Sequence, residues 1–162
     1  MIHKLRTSNP SFSPGNLDTW TVSGNVVATD DAFCSGFFSA LFAGDSTGAI
    51  SQTKQAFPAR SYRLLARVGS CGGNAESPVV ITIEFLSRAA RGSRVLRRVV
   101  FTVDAADIPD ICNATPAPCL NLELDVGDSP AGTARVRLSI EKPVDEGADI
   151  VVDSIYLIET AG

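Results

Sequence analysis

The stretch Leu120-Asn-Leu-Glu-Leu-Asp-Val126, then Gly127-Asp-Ser-Pro-Ala-Gly132, then Thr133-Ala-Arg-Val-Arg-Leu-Ser-Ile-Glu141 decides the fold. Leu120, Leu122, Leu124 and Val126 alternate with Asn121, Glu123 and Asp125. Ala134, Val136, Leu138 and Ile140 alternate with Arg135, Arg137, Ser139 and Glu141. A period of two sends one set of side chains into a core and the other into water, which marks a β-strand. The Gly- and Pro-containing segment between them is a turn, so the two read as consecutive neighbours in an antiparallel sheet.

The same grammar recurs outward from there. Tyr62, Leu64, Ala66 and Val68 oppose Arg63 and Arg67, and Val79, Ile81, Ile83 and Phe85 oppose Thr82 and Glu84. The β-branched run Val95–Val103 follows a turn at Gly92-Ser93 and should close a hairpin with the strand before it. Shorter candidates lie near Trp20–Thr29, Phe37–Phe42 and Ala49–Gln55, which makes about nine or ten strands in all. No segment carries apolar residues at helical spacing over three turns, although Asp104–Ile108 suits one short helical turn. Many short strands with Gly- and Pro-rich turns mean an all-β sandwich or barrel.

The chain has 162 residues, enough for one domain. The reading divides it into a flexible arm over residues 1–8 and a single domain over 9–162. Ile2 and Leu5 among polar neighbours give that arm a second reading, as a strand added to a neighbouring subunit's sheet edge. A net charge of −4 gives no concentrated basic face for a phosphate backbone, so nucleic acid is not an expected partner. Arg88, Arg91, Arg94, Arg97 and Arg98 cluster around Gly92-Ser93. They read as a solvated hairpin tip, with an anionic partner as the alternative. No apolar run approaches the roughly 18 residues that span a bilayer, and none follows the Met1-Ile-His-Lys-Leu-Arg start, so neither membrane insertion nor a signal peptide is read from the chain.

Four cysteines stand at positions 34, 71, 112 and 119, with no C-x-x-C pair that would suggest zinc. Cys112 and Cys119 bracket a Pro-rich segment that can close on itself. The expected bridges are therefore Cys112–Cys119 and Cys34–Cys71, in an oxidising compartment, with four free buried thiols in a cytosolic protein as the alternative.

Acid–base and nucleophilic catalysis near neutral pH recruit histidine most often, and His3 is the only one present. No H-E-x-x-H, P-loop or dinucleotide fingerprint occurs. Glycoside hydrolysis needs two carboxylates and no histidine, but Glu84, Glu123 and Glu141 sit on the polar sides of strands, where solvated charge is the ordinary explanation. The expectation is a protein that is not an enzyme. Sugar-binding surfaces offer flat aromatic rings; here Trp20, Tyr62 and Tyr156 are the supply, with Tyr62 on a core-facing parity and Trp20 placed to plug one end of a sandwich.

The order of Asn9-Pro-Ser-Phe12, Leu17-Asp-Thr-Trp20, Ser35-Gly-Phe-Phe-Ser-Ala-Leu41, Ile50-Ser-Gln52, Tyr62-Arg-Leu-Leu-Ala-Arg67 and Asp149-Ile-Val-Val-Asp-Ser-Ile-Tyr-Leu157 resembles the galactose-binding-like jelly rolls used as carbohydrate-binding modules. It looks nearest to the globular domain that precedes collagen-like triplet repeats in surface proteins of spore-forming bacteria. The resemblance implies an antiparallel jelly-roll β-sandwich. It also implies a structural calcium, held by a carboxylate just after the first-strand Phe and an Asp of the last strand. Here Ser13 follows Phe12 while Asp153 matches the last-strand position. The metal set would then be Asp153 with Asn9 and with Asp31 or Asp30 in place of the lost carboxylate; alternatively, Asp153 hydrogen-bonds the first-strand turn. No other cofactor is expected.

These readings lead to a non-enzymatic structural or interaction module at a spore or cell surface, extracellular, contacting like copies or other surface proteins. The competing expectation is a carbohydrate-binding module for a surface or extracellular glycan.

Overall fold

The computed structural model describes residues 3–30, 34, 38–88, 92–112 and 118–160. Among them eleven strands follow in chain order: β1 (His3–Leu5), β2 (Thr21–Gly24), β3 (Val26–Thr29), β4 (Ser39–Phe42), β5 (Gly48–Gln55), β6 (Ser61–Ala75), β7 (Val79–Ser87), β8 (Val95–Val103), β9 (Leu120–Asp128), β10 (Thr133–Lys142) and β11 (Gly147–Thr160). One 3-10 turn, Ala105–Asp107, falls inside the segment expected to make a short helical turn.

All pairings between these strands are antiparallel and build two sheets. One runs β3-β4-β11-β6-β9, with β1 on β11; the other runs β2-β5-β10-β7-β8. The inward set of each alternating strand meets the other sheet. Ile81, Ile83 and Phe85 of β7 and Leu138 and Ile140 of β10 share one apolar core with Leu64 and Val68 of β6 and Ile150 and Leu157 of β11. This is the expected all-β, jelly-roll-type sandwich. Burying such side chains is worth about 1.5–3 kcal/mol each, so the core is the dominant stabilising term.

Three local expectations are corrected. β9 and β10, read as neighbours in one sheet, lie in different sheets, β9 at the edge of one and β10 in the middle of the other. Alternation fixes which side chains point inward, but not which sheet a strand joins. The Trp20–Thr29 candidate is two strands, β2 and β3, in different sheets. The switch follows Gly24, whose φ is +76° and where a Cβ would lie 2.3 Å from Thr47 O, so only glycine turns the chain there. From His3 onward the arm is tied to its own domain: β1 pairs β11, Arg6 N–H donates to Leu157 O at 2.7 Å, and Thr7 Oγ1 donates to Ile155 O at 2.8 Å. A buried ion pair between Arg6 and Glu159 anchors it further. A mobile arm would leave that carboxylate buried without its cation.

The cysteine pairing also differs from expectation. The bridges are Cys34–Cys119 and Cys71–Cys112. The reason lies in the backbone beside β6: Ser70 N–H donates to Pro109 O, and Ile111 N–H donates to Ser70 O. These bonds hold the segment ending at Cys112 alongside Cys71. At Gly69 an added Cβ would sit 2.8 Å from Ile111 and 3.4 Å from Cys119 Sγ, so the missing side chain lets this segment lie flat on the sheet.

Candidate functional site

Of the three candidate rings, two are structural. Tyr62 is fully buried with its ring 5.3 Å from that of Phe85. Burial, followed by the nearby Glu159 charge, pushes its phenol up to about 12. Trp20 is buried against Phe12 at 6.0 Å and its Nε1 donates to Asn9 O, so its ring packs in the core rather than facing a ligand. Tyr156 is different: it is half-buried and outward-facing, because β11 changes phase just before it.

Along β11, Ile150 and Val152 point into the core, and Asp153 stands opposite Arg67. The register then shifts, so that Tyr156 stands opposite Leu65. One extra residue is accommodated around Ser154, whose φ is +53°, a β-bulge. Beyond it Ile155 and Leu157 take the core and Tyr156 takes the outer face. Without the bulge the alternation would bury Tyr156 and expose Leu157.

Tyr156 forms one wall of a shallow depression of about 300 Å³ on the six-stranded sheet, with Arg67 and Leu65 of β6, Asn121 and Glu123 of β9, and Ser154. The pairing register sets Asn121 beside Arg67 and Glu123 beside Leu65. Arg63 pairs with Glu123 in the open. The arrangement is one aromatic face ringed by a guanidinium, an amide and a carboxylate. A ring can cover the C–H face of a sugar while such groups take its hydroxyls. Sequence reading had Tyr156 among its rings but did not single it out. The signal was there in the broken alternation of Ile150, Val152, Ile155 and Leu157.

The residues expected to hold calcium are only partly brought together. Asp153 is fully buried and its Oδ1 accepts the Ser154 N–H at 2.7 Å. Asn9, at φ +47°, donates through Nδ2 to Asn16 O and Asp18 O, while its Oδ1 is buried without a partner. The two strands of chain meet where Ile155 N–H donates to Pro10 O. Asp31 lies outside the described residues, Asp30 is exposed, and Ser13 Oγ bonds Ser11 Oγ. Among the described residues no group of three His, Cys, Asp or Glu could hold a metal ion. One carboxylate and one amide oxygen are fewer than the six to eight oxygens calcium takes, and Asp31 lies outside the described residues, so the described side chains alone do not complete a calcium site.

The carboxylates considered for hydrolysis are not arranged as a pair. Glu84 of β7 lies on the outer side of the five-stranded sheet and Glu123 on the outer side of the other sheet, so the core separates them. Glu84 Oε2 accepts from Arg98 Nε and Nη2, and Oε1 accepts from Arg137 Nε and Nη2, at 2.7–3.0 Å. Burial alone would raise its pKa, but these hydrogen bonds and charges outweigh it and hold the carboxyl below its usual range. Such a group is a poor proton donor. Glu141 is exposed on β10. The side chain of His3 is outside the described set.

No helix among the described residues is long and apolar enough to cross a membrane. No family model and no curated protein matches the chain. Similar solved structures exist. A family 16 carbohydrate-binding module has a TM-score of 0.70 at 14% identity, covering 93% of this chain and 96% of that one. A family 61 module solved with β-1,4-galactotriose has a TM-score of 0.62 at 18% identity, covering 95% and 97%. The enzymatically active domain of bacteriophage CBA120 tailspike protein 4 has a TM-score of 0.71 at 14% identity, covering 94% of this chain but only 21% of that one, so the chain spans about a fifth of the tailspike's length. At these identities the shared feature is the β-sandwich fold.

Proposed function

We propose that this chain is a non-catalytic carbohydrate-binding module that takes a sugar chain on the outer face of its six-stranded sheet. The observation that carries the reading is Tyr156, turned outward by the bulge at Ser154 into a depression with Arg67, Asn121 and Glu123. Support comes also from structural neighbours that are carbohydrate-binding modules over nearly their whole length. Two disulfides suit an extracellular setting. This places glycan recognition ahead of surface self-assembly, which the sequence had put first. Screening the protein on a glycan array tests it. Binding to a defined set of oligosaccharides, lost in Tyr156→Ala, is the expected result; no binding to any glycan would overturn the reading.

A further inference from the structure

The outer face of the five-stranded sheet carries a second depression, of about 570 Å³, lined by Thr53, Lys54 and Gln55 of β5, Ala134 and Arg135 of β10, and Arg88 just past β7. None of these lining residues is a carboxylate, in a chain whose 18 acids outnumber its 14 Lys and Arg. Pairing of β10 with β5 sets Arg135 beside Gln55 and Arg137 beside Thr53, so guanidinium, amide and hydroxyl groups share one face. Arg137 is engaged by Glu84, which Arg98 holds from the other side. Lys54 Nζ donates to Ser8 Oγ. Arg88 and Arg135 make no ion pair among the described residues.

We infer that this depression binds the acidic group of a polysaccharide, a carboxylate or sulfate borne on a sugar, through Arg88 and Arg135. Guanidinium presents a planar fork of N–H donors that matches the oxygens of either anion. Glu84 shows the same chemistry nearby, one carboxylate held by two arginines on this face. Thr53 and Gln55 supply hydroxyl and amide groups for the uncharged part of the sugar. None of the lining residues is aromatic, so the stacking that single-stranded nucleic acid uses is missing, and two guanidiniums are few for a phosphate backbone. The arginine cluster at the β7–β8 turn, read from sequence as a solvated tip, thus contributes one of its members to a site.

This inference rests on the glycan-binding reading, and the two can fail separately. Affinity electrophoresis of the full chain would compare polygalacturonate, dextran sulfate, neutral β-1,4-galactan and a single-stranded oligonucleotide at low and moderate salt. The expected result is retention by polygalacturonate or dextran sulfate, whichever anion the site prefers. Arg88→Gln/Arg135→Gln should weaken that retention at least tenfold. Arg94→Gln, an exposed arginine outside the lining, should leave it unchanged, and circular dichroism should confirm both variants folded. Equal loss in Arg94→Gln, no loss in the double variant, or equally tight oligonucleotide binding would overturn the inference. Galactan binding without any binding of the acidic polymers would overturn it while leaving the Tyr156 site standing. No binding to either acidic polymer overturns the inference whatever the glycan array shows; no binding on the array as well would overturn both.

Discussion

Ser154 sets the direction of Tyr156. The residue at φ +53° absorbs one extra position in β11, and the ring two residues later faces solvent while Ile155 and Leu157 stay in the core. A left-handed backbone at a non-glycine residue costs of order 1–3 kcal/mol and persists only when its surroundings impose it. Here the imposing contact is the first part of the chain, where Pro10 O accepts the Ile155 N–H and Thr7 Oγ1 donates to Ile155 O.

That geometry makes a prediction. Ser154→Gly should keep the fold and gain a few tenths to about 1 kcal/mol by relieving the left-handed strain, less the flexibility it adds. Ser154→Val should lose at least about 1 kcal/mol, because a β-branched side chain does not adopt this φ. Thermal melts of the two variants check the ordering; equal melting temperatures would contradict it.

Glu84 gives a pH dependence. Its folded carboxyl titrates below the ordinary value of 4.5, so its contribution is complete above that value and is lost as pH falls below it, through the folded pKa. Glu84→Gln should cost about 1–2 kcal/mol at pH 7, a figure already reduced for the partial exposure of Arg98 and Arg137. The gap between variant and wild type should narrow as the pH drops below 4.5. Denaturant melts at pH 7 and pH 3 measure it, and a gap that does not change with pH would show that the charge is not what holds the two arginines.

The disulfides predict a peptide map. Proteolysis without reductant should yield linked peptides containing Cys34 with Cys119 and Cys71 with Cys112. The bridges close spans of 85 and 41 residues, each worth on the order of 4 kcal/mol of unfolded-chain entropy. Reductant should therefore lower the melting temperature markedly. A Cys112–Cys119 peptide would contradict the pairing.

For the metal, the donor count at Asn9 and Asp153 predicts that chelator and millimolar calcium leave the melting temperature unchanged. A rise of several degrees with calcium would show that the unpartnered Asn9 Oδ1 is a ligand completed by backbone oxygens.

Much of the sandwich was legible because alternation is a direct consequence of the pleat. The inward residues of β6 and β7, and Val136, Leu138 and Ile140 of β10, are those the sequence picked out, and the β7–β8 hairpin forms around the predicted turn; Ala134, also read as inward, lines the outer depression instead, because the β10 register shifts between Thr133 and Arg135. Even Lys142 continues the inward parity of Val136, Leu138 and Ile140. It is buried, with Nζ donating to Gly44 O and Ser46 O at 2.8 Å and to Val144 O. Burial lowers its pKa, opposed by Asp145, Asp149 and Asp45. Sheet membership was not legible, since β9 and β10 look alike whether they share a sheet or not. Nor was the cysteine pairing, which depends on the path of residues 109–112 along Ser70. Tyr156 lay between these cases: its outward turn is written in the skipped residue between Val152 and Ile155, but only the pairing partner across the sheet shows where the ring goes.

Titration calorimetry of wild type and Tyr156→Ala against the best oligosaccharide from the array measures what the Tyr156 ring contributes to glycan binding. Tyr156 lies on the outer face and is only half-buried, so its removal should leave the protein folded at a cost of about 1 kcal/mol, which a thermal melt checks. Affinity should fall at least tenfold, equivalent to about 1.4 kcal/mol of lost ring contact. Unchanged affinity in a folded Tyr156→Ala variant would contradict the account.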